Sequence, residues 1–156
     1  MILCKTIPSP LGDLTLASDG TSLVGLWLDG QKHFALRYPE LPVFAQAEQW
    51  LNRYFRGESP SPAEIPLAPK GSEFQQRVWK LLLTIPYGET TTYGTIARQL
   101  GCRSPQAVGN AVGRNPISIL IPCHRVLGSN GVLTGYAGGL DKKKHLLELE
   151  KRSNSN

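Results

Sequence analysis

A proline-rich stretch between Gly57 and Pro69 most constrains how this chain can fold, because the pattern of apolar residues changes across it. Proline removes a backbone donor and fixes φ, so a cluster of prolines is typical of a linker rather than of a helix or a sheet interior. With 156 residues, the chain has room for one domain or for two small ones. We therefore predict an N-terminal domain over residues 1–68 and a C-terminal domain over residues 72–156.

Three short apolar runs precede this boundary, at residues 2–7, 14–18 and 23–28. Asp19-Gly20, between the second and third runs, is a strong hairpin signal. Further along, apolar residues recur at helical spacing up to a stop at Gly57; they are Val43, Ala47, Trp50, Leu51, Tyr54 and Phe55. The pattern predicts a small β-sheet covered by one helix.

After the boundary the apolar spacing becomes helical. Ser72 and Gln75 form a capping box at the start of a first helix. Thr92 can cap a second, short helix, and Ser104-Pro105 has the cap-then-proline order that opens a third. The second and third helices have the layout of a helix-turn-helix, although an ordinary pair of packed helices gives the same pattern.

Charge and small residues favour nucleic acid as a partner of this helix pair. The third helix has small residues on its outward face, and arginines flank it. The formal net charge of +5 favours an acidic partner, of which nucleic acid is one candidate. The candidate DNA contacts are Gln106, Arg103, Asn110, Arg114, Arg125 and Ser104.

The segment over residues 115–126 carries the strongest chemical signal. Its apolar run, bracketed by Pro116 and Pro122, predicts a short buried strand or extended segment that leads to Cys123. His124 and Arg125 follow at once, and two potential cations beside a thiol lower its pKa and favour a thiolate nucleophile. A buried structural cysteine beside a satisfied histidine is the other interpretation of this pair.

Residues 140–152 predict an amphipathic helix that supplies a carboxylate. Glu150 lies on the same face as Leu146 and Leu147, so it needs a buried partner, for which His124 is the natural choice. We therefore predict a relay in which Glu150 fixes the His124 tautomer and His124 accepts the Cys123 proton. Because adjacent side chains of an extended segment point apart, we expect a water between Cys123 and His124. Acyl transfer and alkyl transfer both remain open for such a thiolate.

The sequence Pro-Cys-His-Arg-Val at residues 122–126, followed by Gly-Tyr-Ala-Gly-Gly at 135–139, resembles the active-site signature of the O6-alkylguanine-DNA alkyltransferases (methylated-DNA–protein-cysteine methyltransferases). The similarity is close from about Phe74 to Glu150 and loose over the N-terminal part. It implies an α+β protein, with a ribonuclease H-like domain of sheet and helix before a mostly helical, winged helix-turn-helix-like domain. The implied reaction is stoichiometric transfer of the alkyl group from O6-alkylguanine in double-stranded DNA to the protein, with O4-alkylthymine a further candidate substrate.

The resemblance also implies a role for each matching position. Cys123 matches the alkyl acceptor, His124 the base and Glu150 the orienting carboxylate. Asn115 matches a hinge asparagine, and Tyr93 matches a tyrosine that hydrogen-bonds the guanine ring. The implied pocket for the base consists of the Tyr136 ring together with Pro122 and the backbone near Val126 and Ala137.

Two positions depart from the family pattern. Gln106 stands where the family usually carries an arginine that fills the gap left by the flipped base. Ala137 replaces a serine found in some members, so only its backbone would contact the base.

The resemblance implies one protein consumed per alkyl group and no cofactor. We predict no metal site, because Cys4 has no metal-ligand partners at useful spacing. Three sparse cysteines, the absence of a signal-peptide layout and the lack of a long apolar run lead us to expect a cytoplasmic protein, and we expect a monomer. Two other classes of function stay open, a helix-turn-helix DNA-binding regulator without catalysis and a cysteine hydrolase with turnover.

Overall fold

The computed structural model describes residues 2–28, 36–37, 40–136 and 138–154, and its backbone divides into two compact units. The first unit comprises Met1–Lys70 together with Pro116–Ser118, and the second comprises Gly71–Asn115 and Ile119–Asn156. The first is built on a β-sheet and the second is mostly helical. The predicted α+β class is therefore confirmed.

The sheet of the first unit has the strand order β3-β2-β1-β4, with β1 at Leu3–Ile7, β2 at Leu14–Ser18, β3 at Leu23–Leu28 and β4 at Leu36–Arg37. β1, β2 and β3 pair as antiparallel neighbours, whereas β4 runs parallel to β1. In the turn between β2 and β3, Asp19 Oδ1 accepts hydrogen bonds from the backbone N–H groups of Thr21 and Ser22. The three predicted strands are present; β4 was not predicted, because a strand of 2 residues carries no alternation signal.

Helix α1, at Pro42–Phe55, buries the predicted apolar stripe, and it ends where Gly57 adopts a positive φ of 92°. The Trp50 and Tyr54 rings stack with their centroids 5.6 Å apart, and the Trp50 indole N–H donates to the Ser61 carbonyl. Burying a large apolar side chain contributes about 1.5–3 kcal/mol, so this stripe accounts for the helix without special chemistry. Phe55 departs from the prediction, since it is only half-buried.

The second unit contains α2 at Glu73–Leu82, α3 at Tyr93–Leu100, α4 at Pro105–Gly113 and α5 at Leu140–Asn154, with a short parallel pair of strands, β5 at Thr91–Thr92 and β6 at Val126–Leu127. Both halves of the capping box between Ser72 and Gln75 are present at the start of α2. Thr92 caps α3 and Ser104 caps α4 through their side-chain oxygens. None of the described helices is long and apolar enough to cross a membrane.

The predicted extended segment before Cys123 is largely wrong. Ile117 forms an isolated bridge with Leu26 in the first unit, but residues 118–120 form a turn, with Ile119 at a φ of 72°. A positive φ is rare for a β-branched residue and costs energy. The three residues from Ile119 to Ile121 are nonetheless at most 1 % exposed, so the turn buries the same apolar side chains that a strand would. An apolar run alone does not distinguish the two conformations.

Candidate active site and DNA-binding face

A one-turn 3-10 helix at Cys123–Arg125 and one face of α5 bring the predicted relay residues together. The His124 and Glu150 side chains are 0 % and 1 % exposed, and His124 Nε2 lies 2.6 Å from Glu150 Oε2. An ionised carboxylate can only accept, so the proton of the neutral imidazole lies on Nε2 and Nδ1 carries the lone pair. Nδ1 is buried and has no hydrogen-bond partner among the described residues. The arrangement leaves one ring nitrogen of His124 able to accept a proton.

Glu150 is held by more groups than the relay requires. Arg125 donates from Nε to Oε1 at 2.8 Å and from Nη2 to Oε2 at 3.0 Å, and the Gly88 backbone N–H donates to Oε1 at 3.1 Å. Although burial opposes ionisation, the hydrogen bonds from His124 and Arg125, with the charge of Arg125, hold the pKa of Glu150 well below its usual range. Glu150 is therefore a carboxylate at every pH at which the protein would work.

The prediction that Arg125 contacts DNA is wrong. Its side chain is 9 % exposed, and its guanidinium is shared between Glu150 and the Ile85 carbonyl, which accepts from Nη1 at 2.7 Å. The guanidinium also lies over the Tyr87 ring, 5.7 Å from the centroid. Arg125 is thus an interior partner of Glu150, since a carboxylate that accepts from two of its nitrogens competes with any phosphate for the same donors.

The environment of Cys123 also differs from the prediction. Burial raises the pKa of the Cys123 thiol, more than a hydrogen bond with Asn115 and the charge of Lys143 lower it. The two cations expected from the sequence do not act on the sulfur: burial lowers the pKa of His124, which stays neutral, and Arg125 is paired with Glu150. The Cys-His-Arg turn is helical, so Cys123 and His124 do not point apart as neighbours in an extended strand do, which was the reason to expect a water between them.

Asn115 lies directly after the C-cap of α4 and ties that helix to the turn before the cysteine. Its Nδ2 donates to the Ile121 carbonyl at 2.8 Å, and its side chain also hydrogen-bonds to Cys123. Pro122 and Val126, on either side of the Cys123 turn, are both buried. These contacts fix the position of the thiol relative to α4.

A cleft of about 720 Å³ lies between α3, α4 and the loop after β6. Its lining includes Tyr93, Gln106 and Asn110 from the predicted site residues. Thr134, which was not predicted, also lines the cleft and donates from its hydroxyl to the Tyr93 phenol oxygen at 3.4 Å. Tyr136 is half-buried just beyond this loop, and Ala137 lies outside the described residues.

The chain matches two family models, one after the other. The model described as "6-O-methylguanine DNA methyltransferase, ribonuclease-like domain" covers residues 2–69. The model described as "6-O-methylguanine DNA methyltransferase, DNA binding domain" covers residues 73–152. Among curated proteins, the methylated-DNA–protein-cysteine methyltransferase of Mycobacterium tuberculosis is 50 % identical over 155 residues, spanning 97 % of this chain and 93 % of its own.

The chain belongs to the 6-O-methylguanine DNA methyltransferase family. Its Haemophilus influenzae relative, also named methylated-DNA–protein-cysteine methyltransferase, is 45 % identical over 92 % of this chain and 83 % of its own. The solved structure of the Mycobacterium tuberculosis protein in complex with DNA has a TM-score of 0.89 and 49 % identity, covering 97 % of this chain and 94 % of its own. The fold and family that the sequence resemblance implied are thus confirmed, including the DNA-binding character of the family.

The predicted DNA contacts of this methyltransferase family member lie mainly around α4. Five of them are exposed, namely Arg103, Ser104, Gln106, Asn110 and Arg114. The Ser104 hydroxyl oxygen is already used as the α4 cap, where it accepts from the Ala107 N–H at 3.0 Å. Arg114 does not line the large cleft but a smaller depression of about 400 Å³ on the other side of α4, which it shares with Asn110.

Lys143 is a site residue that the sequence interpretation missed. It is 0 % exposed, and its Nζ donates to the carbonyls of Val126 and Thr134 at 2.7 Å each and of Gly135 at 3.3 Å. The signal was available, since Lys143 precedes Leu146 and Glu150 by one and two helical turns and so shares their face. Among the described residues, no group of three His, Cys, Asp or Glu side chains is placed to hold a metal ion.

Proposed function

We propose that this protein repairs DNA by transferring the alkyl group of O6-alkylguanine to the sulfur of Cys123, once per protein molecule. The observation that carries the proposal is the buried His124–Glu150 pair beside Cys123, in a unit whose α4 borders a wide cleft. Family membership supports the same reaction. A regulator that only binds DNA has no use for an oriented histidine and carboxylate beside a buried thiol.

The proposed chemistry begins with the thiol proton. His124 Nδ1, which has no hydrogen-bond partner among the described residues, accepts that proton, while Glu150 holds the opposite ring nitrogen. The thiolate then attacks the sp³ carbon of the alkyl group, so that an S–C bond forms and the C–O6 bond breaks. Guanine leaves with the electron pair of that bond and takes up a proton. The resulting thioether is a very poor leaving group, which explains a single turnover without a cofactor.

A buried thiol requires the damaged base to leave the stack, because an atom inside a duplex cannot reach it. We propose that α4 enters a groove with Gln106 and Asn110, and that Arg103, Arg114 and Ser104 contact the backbone. In the base pocket, Tyr93 hydrogen-bonds the guanine ring and Tyr136 forms an aromatic wall. Pro122 and the backbone of Val126 and Ala137 contact the base, while Asn115 holds the turn in place.

We also propose that the chain functions as two domains, residues 1–68 and 72–156, and acts as a monomer. All three cysteines lie in the described part of the chain and none forms a disulfide there, which supports a reducing compartment such as the cytoplasm. O4-alkylthymine remains a second candidate lesion.

The test is intact-mass measurement after incubation with duplex DNA that contains O6-methylguanine. We expect a gain of one methyl group per protein and no further consumption of lesion once the protein is modified. Cys123→Ser is the matched control and should bind the lesion without gaining mass. An unchanged mass in the wild type would favour the regulator, and repeated turnover without an adduct would favour the hydrolase; either result contradicts the proposal.

A further inference from the structure

We propose that Lys143 is a positioning residue for the reaction at Cys123: three backbone carbonyls hold its buried ammonium in a place where its charge favours the thiolate. This inference rests on the proposed role of Cys123 as the alkyl acceptor. The sequence pattern predicts that His124 and Arg125 stabilise the thiolate, whereas we assign that role to Lys143 on α5.

The geometry around Lys143 is that of a built site. A buried lysine is costly unless its ammonium is hydrogen-bonded, and here three carbonyls accept from Nζ. Two of the three, those of Thr134 and Gly135, belong to the loop that lines the cleft, and the third belongs to Val126, just after the Cys123 turn. Lys143 Nζ is therefore fixed between the backbone three residues after Cys123 and the loop that lines the cleft.

The charges around the Cys123 turn identify Lys143 as the cation that remains available to the sulfur. Among the described residues, the charged or titratable groups whose contacts place them there are His124 and Arg125 on the turn, Lys143 and Glu150 on α5, and Tyr87, whose ring faces Arg125. Arg125 is neutralised by Glu150, and His124 donates to the same carboxylate. Among the described residues, no carboxylate forms an ion pair with Lys143, so its charge is not offset by another side chain.

Cys123 and Lys143 each affect the pKa of the other. Burial raises the pKa of the Cys123 thiol, and the charge of Lys143 lowers it again in part. Burial likewise lowers the pKa of Lys143, and the Cys123 charge raises it. A thiolate at Cys123 and an ammonium at Lys143 therefore stabilise each other.

The first test compares Lys143→Gln and Lys143→Met with Lys144→Gln, which removes the same charge from an exposed position on the same helix. The readout is the ultraviolet absorbance of the thiolate against pH in the DNA-free protein, taken as the difference from the matching Cys123→Ser protein. We expect the midpoint to rise by about one pH unit in both Lys143 variants, which lowers the thiolate fraction at neutral pH about tenfold. Lys144→Gln should leave the midpoint where it is.

Lys143→Gln separates charge from anchoring, because its neutral amide can still donate to a carbonyl. A midpoint that rises only in Lys143→Met, or in neither variant, would mean that Lys143 merely anchors the loop, and the proposal would be overturned. A second measurement keeps Lys143 intact and follows its side-chain NMR signal against pH. Removing the sulfur in Cys123→Ser should lower the pKa of Lys143, and an unchanged pKa would also overturn the proposal.

These titrations need no DNA, so a negative result would overturn the role of Lys143 without bearing on the proposed repair function. A protein that accepts methyl groups from DNA but keeps its thiol midpoint in Lys143→Gln contradicts the role of Lys143 alone. If the midpoint moves as expected but the wild type gains no methyl group from DNA, the role of Lys143 in thiolate formation holds and the repair function is wrong.

Discussion

Glu150 accepts at least four hydrogen bonds at its two carboxylate oxygens, from His124, Arg125 and Gly88. A buried carboxylate is favourable only when its lone pairs are satisfied in this way. The same contacts orient the His124 ring, so that Nδ1 rather than Nε2 is the basic nitrogen. At the scale of single residues, the packing of this site thus depends on the Glu150 carboxylate, and so does the reaction if the proposed relay operates.

Replacing Glu150 by Gln should slow methyl transfer by about a hundredfold, because a histidine without its anionic partner is a poorly oriented base. Binding to lesion-containing DNA should change much less, since Glu150 is buried and does not line the cleft. Single-turnover rates and affinities would separate the two effects. Glu148→Gln, an exposed change on the same helix, is the control and should behave as the wild type. Transfer at the wild-type rate in Glu150→Gln would disprove the relay.

The stability lost in the Glu150→Gln variant, relative to the wild type, should depend on pH. Removing one partner of a buried ion pair costs about 3–5 kcal/mol, because Arg125 is left uncompensated. The pKa of Glu150 is lower in the folded protein than its ordinary value of 4.5, so its contribution is fully present above about that pH and is lost as the pH falls through the folded value. The difference in free energy of unfolding between wild type and variant should therefore be constant at neutral pH and shrink in acid. Denaturant unfolding of both proteins from neutral to acidic pH measures this difference. A difference that grows as the pH falls would contradict the assignment of Glu150 as a buried carboxylate.

At the scale of elements, the helix starts of the second unit were predictable because their signals are local. Ser72, Thr92 and Ser104 each accept a backbone hydrogen bond within three residues of themselves. The turn before Cys123 and the Arg125–Glu150 pair were not predictable in this way. They depend on contacts between α5 and the Cys123 turn. Local sequence patterns do not predict which cationic side chain will pair with a carboxylate that lies far away in the sequence.

The outward face of α4 carries the next prediction, which concerns Gln106→Arg. Gln106 is exposed and lines the cleft, so a longer cationic side chain there should reach the DNA. A phosphate contact would steepen the salt dependence of affinity by about one charge. Insertion into the base stack would instead raise the transfer rate on duplex DNA without changing the rate on single strands or on the free base.

Single-turnover rates on the three substrates, with affinity at two salt concentrations, distinguish these outcomes. Gln99→Arg is the control, because it adds the same charge at an exposed position on α3 that lines a different depression. We expect the duplex-specific rate to rise in Gln106→Arg and not in Gln99→Arg. If neither the rates nor the salt dependence changes, Gln106 does not face DNA and α4 is not the recognition helix.

At the scale of the whole molecule, the division into two units follows the change in sequence pattern near the proline-rich stretch, with one addition. Residues 116–118 are grouped with the first unit, where Leu26 N–H donates to the Pro116 carbonyl and the Ser118 N–H donates to the Leu26 carbonyl. Backbone hydrogen bonds between Leu26 and residues 116–118 cannot be predicted from composition, because the two segments lie far apart in the sequence. Residues 119–122, which lead to the Cys123 turn, therefore follow a segment that pairs with the N-terminal sheet.

Cys4 and Cys102 serve as internal controls for the proposal that Cys123 is the alkyl acceptor. Cys4 is buried in the first unit, Cys102 is half-buried in the connection before α4, and Cys123 is buried beside the His124–Glu150 pair. Exposure alone would favour Cys102, whereas the proposed chemistry requires Cys123.

Peptide mapping of the wild-type protein, after reaction with an excess of duplex DNA carrying isotopically labelled O6-methylguanine, decides between them. We expect a labelled S-methyl group on the peptide that contains Cys123 and unmodified thiols at Cys4 and Cys102. Label on either of those cysteines, or a protein that binds the lesion and gains no label at all, would contradict it.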